Sequence, residues 1–252
     1  MKQAQPSHWP ASLGLLAALL ALWWAIGRAG WVSPAFLPTP EATALSLVDG
    51  LRGDLLHAAL NTIGRLLLGW LLASAAGVVL GAAIASTAAL RPWVQPTLEF
   101  LRPLPASAVM PLAIALYGLS PAMVLAVIAF GAIWPTLLAT VHGVSSVEPR
   151  LLDVARCLRL SRPAFLWKMG LPHAAPDILA GLRLSLTVSL LVCTLGEMLA
   201  TQDGLGLTIL LAARAYRANE LFACLVLLSL IGLAGHALLV LAEHGLLRGR
   251  RA

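Results

Sequence analysis

SSVEPRLLDVARCLRLSRPAFLWKMGLPHAAP, residues 145–176, is the one long basic stretch in a chain otherwise made of apolar runs. Two short helices are predicted within it. The first begins near Ser146 with Pro149 tolerated in its first turn, and the second takes Ser161 as N-cap with Pro163 just inside. Leu151, Leu152, Ala155 and Leu158 recur at helical spacing and make an apolar face, while Arg150, Asp153 and Arg156 point elsewhere. A basic amphipathic insertion between apolar runs reads as a docking surface for another chain.

The composition around it sets the solvent. The 252 residues are 60% hydrophobic and 11% charged, with a mean hydropathy of +0.88. Soluble domains carry roughly one quarter charged residues, so this chain belongs in a bilayer. The formal charge of +6 is dispersed through loops and does not interleave with aromatic residues, which argues against nucleic acid as a partner. Cys157, Cys193 and Cys224 lie far apart without ligand spacing, so neither a disulfide framework nor a metal site follows, and they read as packing residues.

Six spans are expected, and the whole is an all-α polytopic helix bundle. Residues 12–27 form the first, with Lys2 before it and a Trp pair near its end; an uncleaved span with an aromatic anchor is expected, and a cleaved signal peptide is the alternative. Residues 28–56 make an outer connection with a short amphipathic helix begun after Pro40. The second span, about residues 59–86, carries Gly69, Ala73, Gly77, Gly81 and Ala85 at every fourth position. Lipid gives helices no hydrophobic push toward each other, so such a stripe predicts a close packing face. Residues 91–105 contain four prolines and read as a broken interfacial connection. The third span, about 106–117, is short and interrupted by Pro111, and GLSP at 118–121 is a tight turn. The remaining spans fall at about 122–141, 178–200 and 221–241. By domain, residues 1–56 hold the first span and the outer amphipathic segment, and residues 57–252 the core with the insertion at 145–176.

Charge orients the bundle. With an inner N-terminus, Lys2, Arg91, Arg102, Arg150, Arg156, Arg159, Arg162, Lys168, Arg248, Arg250 and Arg251 are cytoplasmic, and only Arg28, Arg52, Arg214 and Arg217 face outward. The positive-inside rule then places both termini in the cytoplasm.

No GxxxxGK[ST] loop occurs, and Lys2 and Lys168 are the only lysines, so no phosphate-binding loop for ATP is present. GxSxG and HExxH patterns are missing too, which leaves an intramembrane enzyme weakly supported and no cofactor or catalytic group expected on this chain. Charges inside a bilayer are expensive, so Arg65, Arg183 and Glu197 become candidates for function. Arg65 lies about two turns into its span. Its guanidinium can snorkel to the outer headgroups or face a central path with Asn61. Glu197 can contact a solute on that path, or pair with an Arg across the bundle.

The insertion resembles the EAA loop of bacterial ABC importer permeases, whose pattern is Glu-Ala-Ala, three residues, Gly, nine residues, Ile, any residue, Leu-Pro. Asp153, Val154 and Ala155 stand at the triplet, Met169 at the Ile, and Leu171 and Pro172 at the final pair. Arg159 stands where the family has Gly; either it takes a positive φ at a strain of roughly 1 kcal/mol, or the turn is rearranged. The likeness extends from about Pro34 to nearly the end of the chain. FLPTP, LRPLPASAVMPLAIALYGLS, GVSSVEPRLLDVARCLRLSR, LPHAAPDILAGLRLSL, LGEML and the GLG at 204–206 are together similar to sulfonate-, taurine- and nitrate-type permeases. Permeases for bicarbonate, aromatic carboxylates and thiamine pyrimidine precursors share the pattern, so the resemblance specifies the subfamily and not the solute.

The resemblance implies an inner-membrane permease subunit forming the path for a small, anionic solute. It implies two copies, most simply a homodimer, on a cytoplasmic ATPase dimer that holds ATP and Mg, and a periplasmic or lipid-anchored binding protein. Leu151, Leu152, Ala155 and Leu158 would offer the ATPase an apolar contact and Asp153, Arg156 and Arg159 a polar one, with Ser161, Leu171 and Pro172 fixing the second helix. The rival from another class is a stand-alone secondary carrier or channel using Arg65 and Glu197 for ion coupling.

Overall fold

The computed structural model describes residues 9–87 and 91–247. Lys2, Arg248, Arg250 and Arg251 of the charge argument lie outside them. The described chain is helical: α1 (Trp9–Ala29), α2 (Pro40–Leu51), α3 (Asp54–Ser86), α4 (Arg91–Leu101), α5 (Ala106–Tyr117), α6 (Pro121–Ser145), α7 (Pro149–Cys157), α8 (Arg162–Phe165), a π-helical turn over Leu166–Gly170, α9 (Leu171–Ala200), α10 (Leu205–Arg214) and α11 (Ala218–Leu247). Five of the described helical runs are long and apolar enough to cross a bilayer: 12–29, 54–86, 121–145, 162–200 and 218–245.

The third of the six expected spans is therefore not a full-length helix. α5 has 12 residues, about 18 Å against a hydrocarbon core of about 30 Å. The 91–105 connection also differs from expectation, because it is helical through Leu101 and breaks only before α5. Pro92 sits in the first turn, and Pro96 deletes one hydrogen bond without ending the helix. α5 likewise runs through Pro111.

Contacts decide what α4 and α5 accomplish. Gly69 packs on Ile128, Gly77 on Ile133 and Leu137, and Gly81 on Leu137 and Thr140, so residue numbers rise together and α3 lies parallel to α6. Two parallel neighbours need a return between them, and α4 with α5 supplies it. α9 runs the other way along α6: Ala174 meets Gly143, Gly181 meets Pro135 and Ala139, and Gly196 meets Val124. α6 is thus the central helix, with Met123, Val124, Val127, Ile128 and Ala132 buried in a core shared with Leu66, Ala73, Met110, Leu186, Val192 and Cys193. The turn before α6 is the expected one. Gly118 takes a φ of 65°, and Ser120 caps α6 by accepting from the Met123 N–H at 3.3 Å while donating to the Tyr117 carbonyl at 2.8 Å.

By contacts the chain forms two compact units, one of the residues up to 57 together with 208–227, the other of 58–207 with 228 onward. The sequence division cut the chain once, at 56; the structure adds 208–227 to the first unit. In that unit the Trp23 indole donates to the Pro38 carbonyl at 2.9 Å, and its ring lies 5.8 Å from Phe222. α2 starts where expected, capped by Thr39 with Pro40 in its first turn. Its Glu41 accepts from the Trp24 indole at 2.7 Å; its own backbone N–H and that indole hold its carboxyl below the usual range.

Candidate functional site

Two sites drawn from the sequence can be followed in the structure. The first is the insertion after α6. α6 ends at Ser145, Val147 is buried, and α7 begins with Pro149 in its first turn. α7 stops at Cys157 through a Schellman arrangement: the Arg159 N–H donates to the Arg156 carbonyl and the Leu160 N–H to the Ala155 carbonyl, both at 3.0 Å. Arg159 takes a φ of 47° to close it, so the left-handed position left open by the missing Gly is occupied by arginine. Thr201 and Tyr216 end α9 and α10 the same way, with φ of 50° and 54°.

The predicted apolar face of α7 divides in two. Ala155 is buried and Leu151 and Leu152 half-buried, so these three pack inward, whereas Leu158 is 65% exposed. Leu158 is the cap residue, its N–H still bonded to the Val154 carbonyl at 2.9 Å, and the chain turns away from the helix directly after it at Arg159. Asp153, Val154, Arg156 and Leu158 form the outward surface, with Asp153 and Arg156 paired at 3.0 Å.

The second short helix is not separate. Ser161 caps α8 as expected, accepting from the Ala164 N–H at 3.4 Å, but α8 continues through the π turn into α9 as one run from Arg162 to Ala200. At the turn the Leu171 N–H reaches back five residues to the Leu166 carbonyl. Pro172 follows at once; a proline lacks an N–H and crowds the carbonyl four residues back, and the widened turn accommodates it. The Leu171–Pro172 pair therefore marks a built-in irregularity where the exposed segment joins a membrane-crossing helix. Trp167 and Lys168 lie in that turn, Trp167 exposed.

The second site is intramembrane. Glu197, in the last turn of α9, is fully buried. Its carboxylate accepts from Arg65 Nη1 at 2.7 Å, from the Thr62 hydroxyl at 2.9 Å and from the Gly206 N–H at 3.0 Å, with Cys193 Sγ at 3.7 Å. A carboxylate offers about four acceptor sites, so these donors saturate it. Arg65 also donates to the Asp203 carbonyl at 2.7 Å, and Thr62 accepts from the Leu205 N–H at 2.9 Å. Gly204 lies directly on the Glu197 carboxylate and Gly206 on the Thr194 carbonyl, where a side chain would not fit. One buried acid thus ties α3 to the end of α9 and the loop after it.

Of the two roles considered for Glu197, the geometry realises pairing across the bundle. Arg65 is mostly buried in that pair and does not reach for headgroups, while Asn61 is exposed on α3. Arg183 also pairs, with Glu243 of α11 at 3.2 Å. Sequence reasoning overlooked Thr62, Cys193 and the roles of Gly204 and Gly206. The signal was present for two of them, since Thr62 lies three residues before Arg65 and Cys193 four before Glu197, on shared helix faces. The small-residue stripe behaves as predicted: Gly69, Gly77 and Gly81 touch α6 and Ala73 is fully buried.

The described chain is a helical membrane bundle in which the segment after α6 leads through α8 and a π turn into a long span. The family described as binding-protein-dependent transport system inner membrane component matches residues 73–248, and the chain belongs to that family. It is 32% identical over 245 residues to the putative aliphatic sulfonates transport permease protein SsuC of Bacillus subtilis, covering 97% of this chain and 89% of the relative. It is 28% identical over 236 residues to the taurine transport system permease protein TauC of Escherichia coli, covering 89% and 86%. It is 31% identical over 177 residues to the nitrate import permease protein NrtB of Leptolyngbya laminosa, covering 70% and 63%. The protein is a multi-pass permease subunit of an ABC importer, and the stand-alone carrier is not favoured.

Proposed function

We propose that the chain forms, with a second copy of itself, the membrane path for a small anionic solute such as a sulfonate, taurine or nitrate. A binding protein delivers the solute at the outer face. Two cytoplasmic ATPase subunits, which carry the ATP and Mg, supply the work, and no catalytic step falls on this chain. The charge asymmetry supports cytoplasmic termini and a cytoplasmic insertion at 145–176.

The observation that carries this reading is the insertion's construction. Asp153, Val154, Arg156 and Leu158 face outward on a helix anchored by Ala155, and α8 leads without a break into the span whose last turn carries Glu197. A push on α7 and α8 is delivered into α9, and through the Glu197 carboxylate to α3. Each nucleotide state of the ATPases binds one arrangement of the bundle better and shifts the population accordingly.

The test is uptake into proteoliposomes holding the permease, its ATPase and its binding protein. Uptake of radiolabelled taurine, an alkanesulfonate or nitrate is expected only with ATP on the ATPase side and is expected to persist when ion gradients are collapsed. Uptake that runs without nucleotide and stops with the gradient contradicts the reading.

A further inference from the structure

α11 runs antiparallel to α9: a Cβ at Gly232 would lie 3.1 Å from Leu190 Cδ2 and one at Gly235 2.9 Å from Leu186 Cδ2, while Glu243 reaches Arg183 at 3.2 Å. Polar residues flank this seam. On α9, Thr187 and Thr194 follow Arg183 at four and eleven residues; on α11, His236 and Ser229 precede Glu243 at seven and fourteen, so each set keeps to one stripe of its helix. The Arg183–Glu243 pair joins the two stripes and puts them on the same side of the seam. Thr187, Ser229 and His236 are exposed there, and Thr194 is half-buried. His236 lies about 7 Å from the middle of the 218–245 span at 1.5 Å per residue, and the Leu186–Gly235 contact puts Thr187 at its level.

A lipid tail offers neither donor nor acceptor, so polar side chains at that depth call for protein or water beside them. The Thr187 and Thr194 hydroxyls donate back to their own helix, to the Arg183 carbonyl at 3.3 Å and the Leu190 carbonyl at 2.8 Å, which leaves their oxygens open as acceptors. The exposed His236 imidazole has no hydrogen bond or ion pair to any described residue. Two-fold symmetry about the membrane normal sets each residue against its own copy or a neighbour at the same depth. A lone charge there would meet its like, whereas a hydroxyl or an imidazole both donates and accepts and so can face itself. The two charges in these stripes, Arg183 and Glu243, already neutralise each other. We propose that a second copy of this chain packs on this face, seam against seam, with Thr187 and His236 of one copy hydrogen-bonded to those of the other. The assignment rests on the two-copy reading above and adds the surface that the copies share.

The experiment uses the full chain, diluted in phosphatidylcholine liposomes, with Cys157→Ser to remove the exposed thiol. Thr187→Cys and His236→Cys each place a thiol on the face, and Leu71→Cys places one on the exposed side of α3 as control. Copper phenanthroline is expected to form disulfide-linked dimers at either seam position about fivefold or more faster than at Leu71→Cys. Association without oxidant is counted by single-molecule photobleaching. Thr187→Val with His236→Leu is expected to weaken it about tenfold, and His236→Gln, which keeps a donor and an acceptor, to hold it within about twofold of the parent. A chain that stays monomeric, dimers that cross-link as fast at Leu71→Cys as at the seam, or association unchanged in the double variant overturns the proposal. ATP-driven uptake is read separately. Dimers joined through another face leave the importer reading standing, and seam cross-links without ATP-driven uptake support the interface and count against that reading.

Discussion

Glu197 is fully buried and carries its compensation with it, so the two ends of its ion pair are not equivalent to mutate. Arg65→Met leaves a carboxylate in the bundle without its cation, which costs about 3–5 kcal/mol when a buried pair is broken from one side. Arg65→Met with Glu197→Gln removes the charge as well. The double variant is expected to melt above the single one in detergent, with a coupling of about 1 kcal/mol or more; strict additivity would mean that the pair does not hold the helices together. Arg159 is the second residue-scale case. Its φ of 47° is disfavoured for any residue with a Cβ and worst for a branched one. Arg159→Gly is expected to raise stability by up to about 1 kcal/mol and Arg159→Val to lower it by at least as much, read as the spread between their melting temperatures. Sequence alone offered Arg159 two conformations, because only the hydrogen bonds of the Schellman turn choose between them.

At the scale of the element, α3 contains its own control. A Cβ at Gly64 meets nothing within 4 Å, whereas one at Gly81 would lie 2.7 Å from the Leu137 carbonyl oxygen and 2.8 Å from Thr140 Cβ. Gly64→Ala is expected to stabilise the helix by up to about 1 kcal/mol, and Gly81→Ala to destabilise the protein by about 1–3 kcal/mol, both measured by thermal unfolding. The four-residue stripe was legible because lipid makes close approach the main reason for small residues to recur on one face. α7 was less so. Its helix was visible from Pro149 and the leucine spacing, but which leucines face inward depended on where the helix stops, and a left-handed turn at an arginine carries no signature in composition. The join of α8 to α9 was hidden for a related reason: Leu171–Pro172 reads as a boundary, and only a π turn allows helix on both sides of it.

For the whole molecule, composition alone placed the chain in a membrane, and the apolar runs located the long helices, except that the fifth, expected from residue 178, belongs to a continuous run that begins at Arg162. The short return through α4 and α5 was recognised as irregular but mistaken in form, since Pro96 and Pro111 each delete a hydrogen bond inside their helix without ending it. The intramembrane site was half legible. Arg65 and Glu197 stood out as charges in apolar runs, but 132 residues separate them, and their meeting follows from the parallel placement of α3 and α6 and the antiparallel return of α9. The proposed machine has α8 continuous with a helix whose far end is pinned to α3, and α7 precedes it across the turn at Arg159. Its most direct test is the variant carrying Asp153→Lys and Leu158→Lys, both on the exposed surface of α7 and away from the core. Copurification of the ATPase subunits with this variant, and ATP-driven uptake in the same proteoliposomes, are both expected to fall at least tenfold while its melting temperature stays at the parent value. Full copurification and full uptake in a folded double variant would contradict the account.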